Sequence, residues 1–181
     1  MSVTLRPLVA GDVWRLAEIE RELFGPSAWS AAMLREELAG PGRWYVGVDR
    51  PGPDGAPVLV AYAGLWFDGD VAQVMTLGVA TAAQRRGLGV ALLAALVERA
   101  RELDADAVLL EVRVDNDPAL ALYRGAGFEV LGRRRRYYQP EDVDAFTMRL
   151  DLRAPHGPAG PDRLAAPDGT ASADAYPGPH V

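Results

Sequence analysis

A loop that contains two glycines is the first segment of this sequence in which residue types and spacing could support chemistry. The segment Gln84-Arg-Arg-Gly-Leu-Gly89 lies between a predicted strand, Val71–Ala80, and a predicted long helix. Glycines let backbone N–H groups approach an anion closely, and the N-terminus of a helix adds partial positive charge. The pattern predicts a phosphate or pyrophosphate ligand, although the same glycines would equally suit a plain turn from a strand into a helix.

Two phosphate-binding motifs that contain such a loop fit it poorly. A P-loop requires a Lys after its glycines, and the chain contains no Lys. A dinucleotide-binding fingerprint requires a third small residue at the position of Leu92. The pattern Gln/Arg-x-x-Gly-x-Gly is the one that the loop matches.

Three residue types that often carry catalysis are missing from most of the chain. The 181 residues include no Lys and no Cys, and the 2 His, His156 and His180, lie near the C-terminus. Residues 1–153 therefore exclude disulfides, Cys or His zinc sites, a Ser-His-Asp triad, a Cys nucleophile and a Schiff-base Lys. No metal is expected, and any proton transfer falls to Asp, Glu, Tyr or water.

Charge and hydropathy narrow the expected partners. The formal net charge of -6 opposes binding to a nucleic-acid backbone and favours a basic peptide. The first residues carry no apolar run of signal-peptide length, and no stretch has about eighteen apolar residues in a row. We therefore expect a cytoplasmic protein without direct contact to membrane or nucleic acid.

Hydrophobic periodicity predicts helices interleaved with strands in one α/β or α+β domain over residues 1–153. Two N-terminal helices are expected after the caps Asp12 and Ser30, a long helix follows the glycine loop, and a short one spans Pro118–Arg124. Residues 154–181, rich in Pro, Gly and Ala, are expected to form a disordered tail. The predicted strands are Thr4–Leu8, Arg43–Val48, Val58–Phe67, Val71–Ala80, Val108–Val114, Phe128–Arg133 and Asp144–Leu152.

Glu111 and Tyr123 are an acid and a phenol on predicted elements that follow the loop. Strand alternation places Glu111 on the same face as Arg113, so spacing alone favours an ordinary surface ion pair. Tyr123 stands beside leucines and by itself would be a core aromatic residue. The run Arg133–Arg136 has the composition of a nucleic-acid patch, but it stands at a predicted strand end in an acidic chain.

From Met75 to Phe128 the chain resembles the GNAT acyl-CoA N-acetyltransferases. In that family the loop Gln/Arg-x-x-Gly-x-Gly binds pyrophosphate, and a strand, an Asn and an A-x-x-L-Y-x-x-x-G-F segment follow it. The sequence has the same order in Leu110-Glu-Val-Arg113, Asn116 and residues 119–128. Trp29-Ser30 and Arg135-Arg-Tyr-Tyr138 extend the resemblance to RimI-type ribosomal-protein-alanine N-acetyltransferases, over nearly all of residues 1–152.

The resemblance implies a GNAT fold, with a mixed, mostly antiparallel central sheet that splays at an acetyl-CoA cleft and is flanked by helices. It implies that Glu111 is the base for the attacking amine and that Tyr123 protonates the departing CoA thiolate. A backbone N–H of the strand before the loop would stabilise the oxyanion. Trp29, Tyr137 and Tyr138 would contact the acceptor. The implied contacts with acetyl-CoA are Leu77, Gly78, Val79, Arg85, Arg86, Gly87, Leu88, Gly89, Val90, Asn116 and Tyr123.

The function that this resemblance favours is direct acetyl transfer from acetyl-CoA to the N-terminal α-amine of a protein. The expected acceptor is the N-terminal alanine of a small-subunit ribosomal protein or another basic N-terminal peptide. Two alternatives stay open: a GNAT enzyme that acetylates lysine side chains or a small amine, and a non-catalytic acyl-CoA-binding module. Glu111 and Tyr123 favour an enzyme, because a pure binding module requires neither residue.

Overall fold

Seven strands form one sheet in the order β1-β2-β3-β4-β5-β7-β6, in a computed structural model that describes residues 3–153. Every neighbouring pair is antiparallel except β4 and β5, which run parallel. The predicted mixed, mostly antiparallel sheet is therefore confirmed, whereas the predicted tail lies outside the described residues. The strands are β1 (Arg6–Pro7), β2 (Arg43–Pro51), β3 (Pro57–Phe67), β4 (Ala72–Val79), β5 (Ala107–Arg113), β6 (Glu129–Tyr138) and β7 (Val143–Asp151).

Four α-helices connect these strands: α1 (Val13–Phe24), α2 (Ala31–Ala39), α3 (Leu88–Glu102) and α4 (Asp117–Gly125). Ser30 caps α2 as predicted, because its side chain accepts a hydrogen bond from the backbone N–H of Met33. Asp12 precedes α1 but makes no side-chain cap; its carboxylate binds Arg6 and the backbone N–H of Val9 instead. Within residues 3–153, no helix is both long and apolar enough to cross a membrane.

Two strands differ in length from the prediction. β1 is only Arg6–Pro7, shorter than the predicted Thr4–Leu8. β6 continues through the arginine run to Tyr138, past the predicted end at Arg133, and irregular pairing with β7 between Arg134 and Tyr138 absorbs the extra residues. The arginine run is therefore part of an edge strand, in which Arg133 and Arg134 face opposite sides of the sheet.

Side-chain alternation divides the core between the two faces of the sheet. Val46 and Ala63 belong to the cluster that packs against α3 and α4. Tyr45 and Tyr62, each one residue away on β2 and β3, belong to the cluster that packs against α1 and α2. We call these two sides the α3 face and the α1 face.

β4 carries a bulge in its pairing with β3. Gly64 pairs with Thr76, and the next residue, Leu65, pairs with Val74. Met75 is therefore an extra residue in β4, because two residues of β4 oppose one step of β3. An extra residue shifts the side-chain alternation of everything that follows it in the strand.

The shifted alternation determines which side chains of β4 reach the α3 face. Thr76 turns to the α1 face, where its hydroxyl donates a hydrogen bond to Glu20 of α1. Leu77 and Val79 then pack on the α3 face. β4 and β5 pair only through Ala72–Val108 and Gln73–Leu109, so within the described chain the sheet opens beyond these residues.

The cap of α2 provides a test of this local structure. Ser30→Ala removes the acceptor for the N–H of Met33, and we expect it to lower the free energy of unfolding by about 1 kcal/mol in urea denaturation. Ser30→Asp retains a side-chain acceptor, so it should stay close to the wild type. Equal stabilities for the Ala and Asp variants would show that the cap contributes nothing.

Candidate active site

The glycine loop forms the entrance to a cavity of about 430 Å³, which we call the first cavity. Gly87 stands immediately before α3 with a φ of 76°, a left-handed conformation that glycine adopts readily. The N–H groups of the first turn of α3 have no partner within the helix and point toward the loop. The first cavity is lined by Leu23, Phe24, Leu77, Val79, Gln84, Arg85, Gly87, Leu88, Gly89, Val90, Asn116, Pro118, Ala119, Leu122 and Tyr123.

The structure brings together all but two of the residues expected to contact acetyl-CoA. Gly78 and Arg86 are the exceptions, since neither lines the first cavity. Gly78 faces Tyr62 instead: a Cβ at this position would lie 2.7 Å from Cε1 of that ring. Gly78 therefore permits close packing on the α1 face, which is a structural reason for a glycine at this position.

A second cavity, of about 420 Å³, adjoins the first and shares Leu23, Phe24 and Asn116 with it. Two of its remaining residues, Asp115 and Glu141, are acidic. Ser27, which follows α1, donates a hydrogen bond to the Glu141 carboxylate at 3.1 Å across this cavity. The second cavity is lined by Leu23, Phe24, Ser27, Arg113, Asp115, Asn116, Tyr138 and Glu141.

Glu111 is a buried carboxylate at the point where β4 and β5 separate. Its residue is 6% exposed, and its Oε2 accepts a hydrogen bond of 3.0 Å from Nε2 of Gln73. Its Oε1 is 3.3 Å from Nη1 of Arg134 on β6. The alternative that spacing alone favoured, a surface ion pair with Arg113, does not form, because Arg113 binds Asp115.

The environment of Glu111 acts on its pKa in two directions. Burial raises the pKa above the usual glutamate value, whereas the charge of Arg134 and the hydrogen bond from Gln73 lower it. The net result is a raised pKa. A carboxylate of this kind holds a proton more strongly than an exposed one, as a general base requires.

Tyr123 lies on α4 and lines the first cavity while being only 1% exposed. Its ring packs edge-on against Phe128, with centroids 5.8 Å apart. Burial raises the pKa of Tyr123, so the hydroxyl stays protonated at neutral pH. Tyr123 is thus a core aromatic residue that also forms part of a cavity wall.

Asn116 stands where α4 begins and contributes to both cavities. Its side-chain oxygen accepts a hydrogen bond of 3.2 Å from the N–H of Ala119, so it caps α4. The cap orients the first turn of the helix that carries Tyr123.

The three residues expected at the acceptor site differ in position. Tyr138 lines the second cavity, and its hydroxyl donates to the backbone oxygen of Glu111 at 3.2 Å. Tyr137 packs edge-on against Tyr138 and lies under the guanidinium of Arg134, at 5.3 Å from CZ to the ring centroid. Trp29 does not lie at the surface of either cavity, as the expected contact with the acceptor would require. Its side chain is 2% exposed and packs in the α1-face core.

The arginine run is largely paired with carboxylates. Arg133 binds Asp144 at 2.6 Å, and Arg136 binds Asp142 at 2.5 Å. Arg134 binds Glu111, so three of the four arginines of the run are paired with carboxylates of the protein. Within residues 3–153, no group of three or more His, Cys, Asp or Glu is arranged to hold a metal ion.

Several site residues were not anticipated from the sequence. Leu23 and Phe24 gave only the signal of a helical core stripe, and Gln73 gave none, because its partner is distant in the chain. Asp115 and Glu141 lie in two separate loops, which come close together only because β5, β6 and β7 pair in the sheet. Glu20 did leave a signal, since it is a charged residue one turn after Leu16 on the buried stripe of α1.

Comparison with models of known protein families identifies the family to which this chain belongs. The model of the family described as "Acetyltransferase (GNAT) family" matches residues 13–128, which include both cavities' shared wall. The chain belongs to the GNAT acetyltransferase family. This confirms the resemblance read from the glycine loop and from residues 110–128.

Individual relatives support the same assignment. The N-alpha-acetyltransferase RimI of Mycobacterium tuberculosis is 44% identical over 154 residues, which span 82% of this chain and 92% of that protein. The crystal structure of the ribosomal-protein-S18-alanine N-acetyltransferase from Escherichia coli matches with a TM-score of 0.74 at 27% identity, covering 89% of this chain and 98% of that one. Arabidopsis thaliana NAA60 in complex with acetyl-CoA has a TM-score of 0.74 at 20% identity over 83% and 99%, a likeness of fold alone. The RimI-type resemblance and the GNAT fold are confirmed.

The Arg134 ion pair can be tested through the pKa of Glu111. We expect Arg134→Gln to raise this pKa, because it removes the positive charge that favours the carboxylate. The carboxyl carbon of Glu111, followed by NMR during a pH titration, reports the change.

Arg133→Gln is the matched control. Arg133 is exposed to a similar degree on the same strand but binds Asp144, so its replacement should leave the pKa of Glu111 almost unchanged. Equal shifts in both variants would mean that general charge, not the contact with Arg134, sets the pKa.

Proposed function

We propose that this GNAT enzyme transfers an acetyl group from acetyl-CoA to the N-terminal α-amine of a protein, with an N-terminal alanine of a small-subunit ribosomal protein as the favoured acceptor. The observation that carries the proposal is the junction of two unlike cavities at Leu23, Phe24 and Asn116. One cavity opens at a helix N-terminus, and the other holds the Arg113–Asp115 ion pair together with the Glu141 carboxylate. Tyr123 of α4 lines the first cavity, and the backbone oxygen of Glu111 on β5 accepts a hydrogen bond from Tyr138, which lines the second.

The first cavity has the features that acetyl-CoA requires. The start of α3 offers backbone N–H groups and partial positive charge to a pyrophosphate, and Arg85 adds a full charge. Leu77, Val79 and Leu122 provide an apolar wall for the pantetheine arm. Bound acetyl-CoA would supply the acetyl thioester, and the residues of this chain would position it.

Glu111 is proposed as the base for the attacking amine. An α-ammonium group loses its proton with a pKa of about 7.7–8.0, so a carboxylate with a raised pKa can accept that proton near neutral pH. Because Glu111 lines neither cavity, the proton would pass through a water molecule. The free amine then attacks the carbonyl carbon and forms the C–N bond of a tetrahedral intermediate. As the C–S bond breaks, the nitrogen loses its second proton to water, and both protons removed from nitrogen finally pass to the solvent.

Tyr123 is proposed as the acid for the leaving group. A tyrosine hydroxyl is protonated at neutral pH, and Tyr123 lines the first cavity, where the thiolate would depart. Proton transfer from the phenol to the thiolate gives neutral CoA, and solvent restores the phenol. A backbone N–H of β4 near Leu77 would donate to the carbonyl oxygen while it carries negative charge.

The second cavity supports a peptide as the acceptor. Glu141 favours positive charge, as in an α-ammonium group followed by basic residues, whereas Asp115 is paired with Arg113. Tyr138 would contact the peptide directly, while Tyr137 and the buried Trp29 would shape the wall from behind. The names of the similar proteins, an N-alpha-acetyltransferase and a ribosomal-protein-S18-alanine N-acetyltransferase, support this acceptor, which the protein would meet in the cytoplasm.

An assay with two peptides tests the acceptor. We expect acetylation of a basic peptide that starts with alanine, and no acetylation of the same peptide with a blocked N-terminus and an internal lysine. Mass spectrometry locates the acetyl group. Transfer to the blocked peptide alone would replace N-terminal acetylation by lysine acetylation, and transfer to neither would favour a small amine or a binding module.

Replacement of the two proposed catalytic groups tests their roles. Glu111→Gln and Tyr123→Phe each retain the side-chain shape but remove the proton acceptor or donor, and we expect each to lower kcat about 100-fold. Acetyl-CoA binding, measured by calorimetry, should change little in Glu111→Gln. Full turnover in both variants would contradict the assigned roles.

A further inference from the structure

Glu20 is a fully buried carboxyl group that takes no part in the proposed chemistry. It is 0% exposed and lies on the inner stripe of α1. Its Oε1 accepts hydrogen bonds from the Tyr62 hydroxyl and from Oγ1 of Thr76, the latter at 3.2 Å. Its Oε2 accepts one from the Trp29 backbone N–H at 3.2 Å. A single carboxyl group thus connects α1, the segment before α2, β3 and β4.

This arrangement is costly unless it serves the structure around it. Burial raises the pKa of Glu20, while the donors Tyr62, Trp29 and Thr76 lower it by stabilising the carboxylate. An apolar residue at this inner position of α1 would avoid the desolvation penalty altogether. The role of Glu20 therefore depends on what its three hydrogen-bond donors, Tyr62, Trp29 and Thr76, do in the structure.

Thr76 is the partner that the bulge of β4 turns toward α1. In a regular strand Thr76 would face the α3 side, and Leu77 would face away from it. The bulge instead places the Thr76 hydroxyl in the apolar α1 face, where an unpaired hydroxyl is unfavourable. Glu20 supplies the acceptor, so it stabilises the bulged register relative to the regular one.

Tyr62 is the partner that supports the next part of β4. Its ring lies against Gly78, so close that a Cβ there would be 2.7 Å from Cε1 of Tyr62. The hydrogen bond from its hydroxyl to Glu20 fixes the outer end of this ring. Both sides of Leu77 are thereby held, through Thr76 before it and Gly78 after it.

We infer that Glu20 is a positioning residue for acetyl-CoA, because its carboxylate holds the β4 bulge in the register that directs Leu77 and Val79 into the first cavity. The inference rests on the proposed function, since it takes the first cavity to be the acetyl-CoA site. Glu20 acts through Thr76 and Tyr62 and touches no reacting atom.

The protein contains a matched control for the loss of a buried carboxylate. Glu37 on α2 is 2% exposed and accepts a hydrogen bond of 2.7 Å from the Tyr45 hydroxyl, much as Glu20 accepts one from Tyr62. Its other partner is Arg43, with which it forms an ion pair at 2.9 Å. None of these contacts reaches β4, so a variant of Glu37 reports loss of stability alone.

The experiment measures the Kd of acetyl-CoA by calorimetry in wild type, Thr76→Val, Thr76→Ser, Glu20→Leu and Glu37→Leu. Circular dichroism sets a temperature at which each variant is folded. We expect Thr76→Val to raise the Kd of acetyl-CoA about tenfold with unchanged stoichiometry. Loss of the bulged register would displace Leu77 and Val79 from the wall of the first cavity. Thr76→Ser retains the hydroxyl and should restore wild-type Kd, and Glu37→Leu should remain within about twofold.

The double variant Glu20→Leu with Thr76→Val should bind no more weakly than Glu20→Leu, because both changes remove the same contact. Unchanged Kd in Thr76→Val, or an equal rise in Glu37→Leu, would overturn the inference. If Glu20→Leu does not fold, the Thr76 pair of variants decides alone. A wild type that binds acetyl-CoA but acetylates no peptide refutes only the proposed acceptor, whereas a wild type that does not bind it refutes both proposals.

Discussion

β4 and β5 are parallel strands that pair at only two positions, and the rest of the site depends on the gap beyond them. An open gap in a sheet leaves backbone groups without ladder partners, which is unfavourable unless other elements hold the strands. β3 pairs with β4 along its length, and β7 pairs with β5 from Ala107 to Arg113. The antiparallel neighbours therefore hold each strand while the parallel pair separates, and the two cavities lie where the sheet opens.

Within residues 3–153 the protein has three buried glutamates, Glu20, Glu37 and Glu111, and their partners differ. Glu20 and Glu37 each accept a hydrogen bond from a buried tyrosine hydroxyl and are enclosed on all sides. Glu111 has an amide and a half-exposed arginine, Arg134, whose side chain is 56% exposed. A partner at the surface can move aside at a small energetic cost, whereas an enclosed donor cannot. Of the three, Glu111 has the most exposed charged partner, which suits the proton exchange proposed for it.

The sequence was sufficient to predict the order of the elements and most of the first cavity, because both depend on local patterns. Periodicity places α3 after β4, and the spacing of Gly87 and Gly89 requires no knowledge of the fold. The partners of Glu111 could not be predicted, since Gln73 and Arg134 approach it only through strand pairing. Trp29 was misplaced for a similar reason: an aromatic residue before a helix cap has the same local signal in a core as in a cleft.

The same limit explains why β6 was predicted too short. Four consecutive arginines in Arg133–Arg136 look like a strand end, because charge normally marks solvent. β6 is an edge strand, however, and carboxylates on both faces of the sheet accept its guanidinium groups: Asp144 binds Arg133, and Glu111 binds Arg134. The charge that interrupts the hydrophobic pattern therefore includes the guanidinium group, that of Arg134, which pairs with Glu111. In a chain without Lys, arginine must provide every such contact, and its planar, permanently charged group suits a buried carboxylate better than an ammonium group would.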